Sequence, residues 1–96
     1  STIIPYISPL DNKIHRYFVD GNVTIKEGNS IKNYLIEIKP EKQTKPPVES
    51  KRKKKTTILY EKMQYAVNQA KWSAAKQYAT KKKIDFLILT EKELFI

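Results

Sequence analysis

The stretch "NYLIEIKPEKQTKPP", residues 33–47, decides how this chain is read. Side chains alternate along a strand, so Leu35, Glu37 and Lys39 fall on one face and Tyr34, Ile36 and Ile38 on the other. Taken alone, a charged face of this kind is ordinarily a face turned to water. Pro40 has no N–H to give to a ladder, so the strand ends there. The segment from Pro40 onward, "PEKQTKPPVESKRKKK" at residues 40–55, holds three prolines and almost no apolar side chains. A connection this long without structure of its own is usually functional or disordered, and residues 41–55 are expected to form a basic mobile loop.

Upstream, "TIIPYI" (residues 2–7) is rich in β-branched residues but interrupted by Pro5, which suits an edge strand. "LDNK" at 10–13 reads as a turn, "HRYFVDGNVTI" at 15–25 as a second strand, and "EGNS" at 27–30 as the turn into the third strand, 31–39. Together they predict a three-stranded antiparallel meander. Downstream of Thr56, Leu59, Met63, Ala66, Val67 and Ala70 recur at helical spacing, and Ala74, Ala75, Tyr78 and Ala79 continue it. Asn68 is a plausible N-cap, so the helix is expected to break near it. "IDFLILT" at 84–90 is nearly continuous in apolar residues, as in a strand buried on both faces. The order β, β, β, α, β makes the fold class α/β, one domain over residues 1–96.

Composition narrows the function. With 19 Lys and Arg against 10 Asp and Glu, the net charge is +9, which points to a polyanionic partner, nucleic acid ahead of an anionic membrane. Cysteine is absent, so disulfide frameworks and thiolate metal sites are excluded and a bound metal would be held by oxygen. No apolar run reaches the roughly 18 residues of a membrane span, and the opening residues lack a signal-peptide pattern. A soluble, intracellular protein without membrane contact is expected.

Three residues suggest chemistry. If the second and third strands pair about "EGNS", Asp20 and Glu37 come together at the far end of the hairpin, beside Lys39. Two close carboxylates repel unless a divalent cation bridges them, and magnesium favours such hard oxygen ligands. "VDGN" and "EIK" are nonetheless common in turns and on polar strand faces, so spacing alone leaves a purely structural reading open.

"YFVDGNVTI" followed by "YLIEIKP" resembles the motif of the PD-(D/E)xK nuclease superfamily, most closely the head-completion nucleases of tailed bacteriophages and more distantly the endonuclease subunits of heteromeric transposases. "KPEKQTKPP", "VNQAKWSAA" and "IDFLILTEKEL" extend the likeness over most of residues 3–94. The resemblance implies a restriction-endonuclease-like core, with Asp20, Glu37 and the carbonyl of Ile38 as metal ligands and Lys39 as the catalytic lysine. It implies magnesium, with manganese as a substitute, and hydrolysis of DNA phosphodiesters during phage head completion or DNA packaging. DNA is the implied partner, with phage head or packaging proteins and a second copy of the chain as further candidates, in the host cytoplasm or the virion. Val19 stands where the motif usually has proline. The chain opens on the first strand, so the family's N-terminal helix, which brings a further glutamate, is expected to be lacking. The rival reading is a virion protein that keeps the scaffold and binds DNA without cutting it; a basic RNA-binding protein of ribosomal type gives no role to Asp20, Glu37 and Lys39 together.

Other features carry two readings each. Lys42, Lys45 and the run Lys51, Arg52, Lys53, Lys54 and Lys55 are candidate phosphate contacts or a solvated loop. Lys81, Lys82 and Lys83 suit the negative end of a helix. Trp72 and Tyr65 are better explained by packing than by base stacking, and His15 stands alone.

Overall fold

In the computed structural model, which describes residues 2–95, two antiparallel hairpins come first in the chain. Strands β1 (Ile3–Ile7) and β2 (Ile14–Phe18) pair with Ile4 opposite Tyr17 and form a two-stranded sheet of their own. Asn12 takes the left-handed conformation that their turn requires. Strands β3 (Gly21–Glu27) and β4 (Ser30–Ile38) then pair about a turn in which Gly28 has φ +58°, a region costly for any side chain.

The expected second strand is thus two strands, and the meander two hairpins. Tyr17 and Val19 are buried, yet Asn22 is the residue paired with buried Leu35, so the inward–outward alternation slips by one across Asp20. The Asp20 carboxylate, not a main-chain carbonyl, accepts the Ile38 N–H at 2.7 Å. Val19 turns its own N–H to the Thr2 carbonyl at 3.3 Å. The two hairpins therefore part where an aspartate has replaced a rung of the ladder.

After β4 the chain makes a short 3₁₀ turn (Glu41–Thr44), runs to helix α1 (Lys55–Lys82) and returns as β5 (Asp85–Leu89), parallel to β4. The sheet order is β3-β4-β5, a restriction-endonuclease-like α/β core. Helix α1 is continuous, and Asn68 lies buried within it where a cap and break were expected. Its neighbours explain the difference: Asn68, Trp72, Ala75 and Ala79 recur at three to four residues and form one buried stripe against the strands, which outweighs a local capping preference. Trp72 joins Ile4, Tyr6, Tyr17, Val19, Leu35 and Ala75 in the core. At the other end, Lys83 closes the helix in the left-handed conformation with its N–H aimed at the Ala79 and Thr80 carbonyls, and Lys81 and Lys82 occupy the last turn.

Strand β5 is not buried on both faces. Phe86 and Ile88 pack against the core, whereas Leu87 is exposed beside Ile36 on the outer face. Val23, Ile25 and Ile38 are exposed on that face too. A short helix α2 (Glu91–Leu94) comes next, with a reciprocal cap between Thr90 and Glu93. It anchors the 3₁₀ turn: the Glu41 N–H donates to the Glu91 carboxylate at 3.1 Å, and the Glu41 carboxylate pairs with Lys92 at 2.9 Å and Lys45 at 3.1 Å. Among the described residues no helix is long and apolar enough to cross a membrane.

Candidate active site

The register that sets Gly21 opposite Ile36 brings Asp20 beside Glu37, at the end of the hairpin away from Gly28. Glu37 lies on the same face as buried Leu35 and is itself only 5% exposed, so the charged face of β4 is turned into the protein here. The Tyr17 hydroxyl donates to Glu37 Oε2. Lys39, two residues on and therefore on the same face, holds its Nζ 3.6 Å from Glu37 Oε1. Asp20, Glu37 and Lys39 are thus brought together, and the Ile38 backbone adjoins Asp20.

The electrostatics are set by that crowding. Burial first, and the charge of Asp20 with it, raise the Glu37 pKa above the usual carboxylate value, partly offset by the Tyr17 hydrogen bond and by Lys39. Burial also raises the Tyr17 pKa, and the Glu37 carboxylate it serves adds to the effect. Tyr17 is therefore a neutral donor that ties down one oxygen of Glu37. The Lys71 ammonium lies 5.7 Å from the centre of the Tyr17 ring and 5.9 Å from that of Tyr6. Nothing in the sequence pattern singles out Tyr17 or Lys71 on chemical grounds; only alternation about Val19 hints that Tyr17 points inward.

The donor set suits a small hard cation. Two carboxylates, one withdrawn from water and burdened by the other's charge, are what a divalent ion relieves, and a carbonyl and waters could complete its oxygen shell. Among the described residues no cluster of three Asp, Glu, His or Cys side chains occurs, so a metal here would rest on Asp20, Glu37 and main-chain or water oxygen. His15 is spoken for by Asp11, at 2.8 Å.

The basic residues divide. Lys51, Arg52, Lys54 and Lys55 are exposed ahead of and at the start of α1. Lys53 instead bridges Glu61 at 2.9 Å and the Val48 carbonyl at 3.1 Å, and so joins the loop to the helix. Lys42 and Lys45 line a groove between the 3₁₀ turn and α1, and Lys45 is shared with Glu41.

Comparison of the sequence with known proteins finds a matching family and a relative. The model of the TnsA-like endonuclease N-terminal family matches residues 2–91. The head completion nuclease of Enterobacteria phage T4 is 37% identical over 97 residues, covering 98% of this chain. The chain spans 63% of that relative's length. No solved structure matches significantly. The chain therefore belongs to the TnsA-like endonuclease N-terminal family, within the PD-(D/E)xK nuclease superfamily.

Proposed function

We propose that this chain carries the catalytic centre of a magnesium-dependent DNA endonuclease acting in phage head completion or DNA packaging. The observation that carries the reading is the burial of Glu37 against Asp20 with the Lys39 ammonium at its free oxygen. Glu37 is buried with the charge of Asp20 beside it, and a buried charge is strongly destabilising unless something compensates it. Asp20, Glu37 and the Ile38 carbonyl would hold the ion, with manganese able to replace magnesium. When bound, the ion supplies an activated water and positive charge at the scissile phosphate.

The protein's own groups do the rest. Tyr17 fixes Glu37 Oε2 and leaves Oε1 turned toward Lys39, while the Ile38 N–H fixes Asp20 Oδ2. Each carboxylate is therefore held by one oxygen and offers the other. Lys39, with its ammonium 3.6 Å from Glu37 Oε1, orients the attacking water and stabilises the charge growing on the phosphate oxygens. Residues 41–55 run from the end of β4, and in this reading they settle along the DNA backbone, with Lys42, Lys45, Lys51, Arg52, Lys54 and Lys55 facing phosphates and Lys53 holding the loop to α1.

The test compares the chain with Glu37→Gln on linear and branched DNA, with magnesium and with excess chelator. Cleavage that needs magnesium and falls by about 10² or more in the variant, with DNA affinity kept, is the expected result. Equal cleavage in chelator or in Glu37→Gln overturns the assignment. Tight DNA binding with no cleavage by the parent under any metal supports instead a DNA-binding virion component on the same scaffold.

A further inference from the structure

A groove of about 530 Å³ opens between the loop that leaves the site and helix α1. One wall is Pro46, Pro47 and Val48, and the other is Tyr60, Gln64, Tyr65 and Asn68. Tyr60, Gln64 and Asn68 are four residues apart, so they lie along one helix face over about 12 Å. Lys42 and Lys45 stand at its rim.

Its inner end is the informative part. Asn68 is 6% exposed, yet among the described residues no hydrogen bond is made to its side-chain amide, and no polar side-chain atom is sealed from solvent without a partner. The Asn68 side chain lines the groove, so the amide can meet a molecule bound there. One turn further along α1 is Trp72, whose ring adjoins the Tyr17 hydroxyl that serves Glu37. The groove thus begins one helical turn from Trp72, which links it through the Tyr17 hydroxyl to Glu37. Its opposite wall comes after Lys39 and Pro40 in the chain, so both walls lead back to the site.

We propose that this groove receives an unpaired nucleotide of the DNA strand next to the scissile phosphate; the inference rests on the nuclease reading. The volume lies within the range of small-molecule pockets and excludes a duplex. Tyrosine and proline rings offer flat apolar surfaces for a base, the amides of Asn68 and Gln64 can donate to and accept from its edge, and Lys42 and Lys45 meet the flanking phosphates. Glu61 brings no repulsion to that path, since it is held by Lys53. An amide paired with the edge of a base also favours DNA in which that base is already unstacked.

The experiment uses a short duplex with one 2-aminopurine, either paired or in a one-nucleotide bulge. Affinity and 2-aminopurine fluorescence are read without magnesium, in a Glu37→Gln background that keeps the DNA intact. The bulged duplex is expected to bind more tightly and its fluorescence to be quenched. Tyr60→Ala, at a side chain 61% exposed and so safe for the fold, should weaken the bulged duplex about 5- to 100-fold and leave the paired one unchanged, with Tyr60→Phe restoring it. Equal binding of the two duplexes, or indifference of the bulged one to Tyr60→Ala, overturns the groove but not the nuclease reading. Failure to bind either duplex overturns both.

Discussion

Glu37 and Ile38 are neighbours in β4 with inverted surroundings. The glutamate is 5% exposed and the isoleucine 52%. On the inner face a charge is buried, held by Tyr17 and crowded by Asp20; on the outer face Val23, Ile25, Ile38 and Leu87 meet water. Stability alone would exchange these residues. In the proposed reading the inner face departs from that rule for chemistry, and the outer face has the character of an unfinished layer.

The sharpest way to break this contrast is to remove its chemistry. Lys39→Ala should lower magnesium-dependent cleavage by about 10² to 10⁴, with the fold unchanged by circular dichroism, because a positioned acid–base or charge-stabilising group is lost. A rate within a factor of three of the parent would make Lys39 merely Glu37's counter-ion. Next in size is the inner face as packing. Leu35 is 2% exposed, and Leu35→Ala should cost about 2–5 kcal/mol in denaturant unfolding, a large share of the stability of a domain this small.

A subtler test is pH. The folded pKa of Glu37 lies above its ordinary 4.5, so the folded chain holds that proton more tightly than the unfolded one. In chelator, this group's contribution should be fully present below the ordinary value and be lost as pH rises through the raised one. Asp11, Glu41 and Glu49, whose pKa values are lowered by hydrogen bonds and lysine or histidine partners, act in the opposite sense and only at more acid pH. The Tm of the metal-free chain should therefore rise as pH falls through the raised Glu37 pKa, and Glu37→Gln should flatten that rise. A slope unchanged in the variant would mean that Glu37 is solvated. The smallest effect belongs to the outer face: Ile38→Ser should shift stability by no more than about 0.5 kcal/mol. A cost of several kcal/mol would show that Ile38 is covered in solution.

Much of this is legible in the sequence, for reasons particular residues make plain. Alternation from Leu35 to Lys39 identifies the strand and the shared face of Glu37 and Lys39, because a strand's period of two is local geometry. It does not tell which face is covered, and so a solvated face is the ordinary reading of a buried one. The division of residues 15–25 at Asp20 is hidden, since the chain stays extended there and only a distant N–H, that of Ile38, shows the aspartate at work. Asn68 misleads because a capping preference is local while burial beside Trp72 is tertiary. "IDFLILT" is an unbroken apolar run from Phe86 to Leu89, which conceals an alternation that the exposed Leu87 makes visible.

The parallel pairing of β4 with β5 has a consequence in time. Glu37 lies opposite Ile88, fifty-one positions later in the chain, whereas Ser30 lies opposite Glu27 in a tight hairpin. Hairpins close in about 1–10 μs, but non-local parallel pairing waits on the search of the long intervening chain. The β3–β4 hairpin can therefore draw Asp20 and Glu37 toward each other early. The enclosure of Glu37 waits until the helix and β5 arrive. Until β5 docks against β4, Glu37 keeps its charge in water, and the candidate centre is complete only once that late pairing is made.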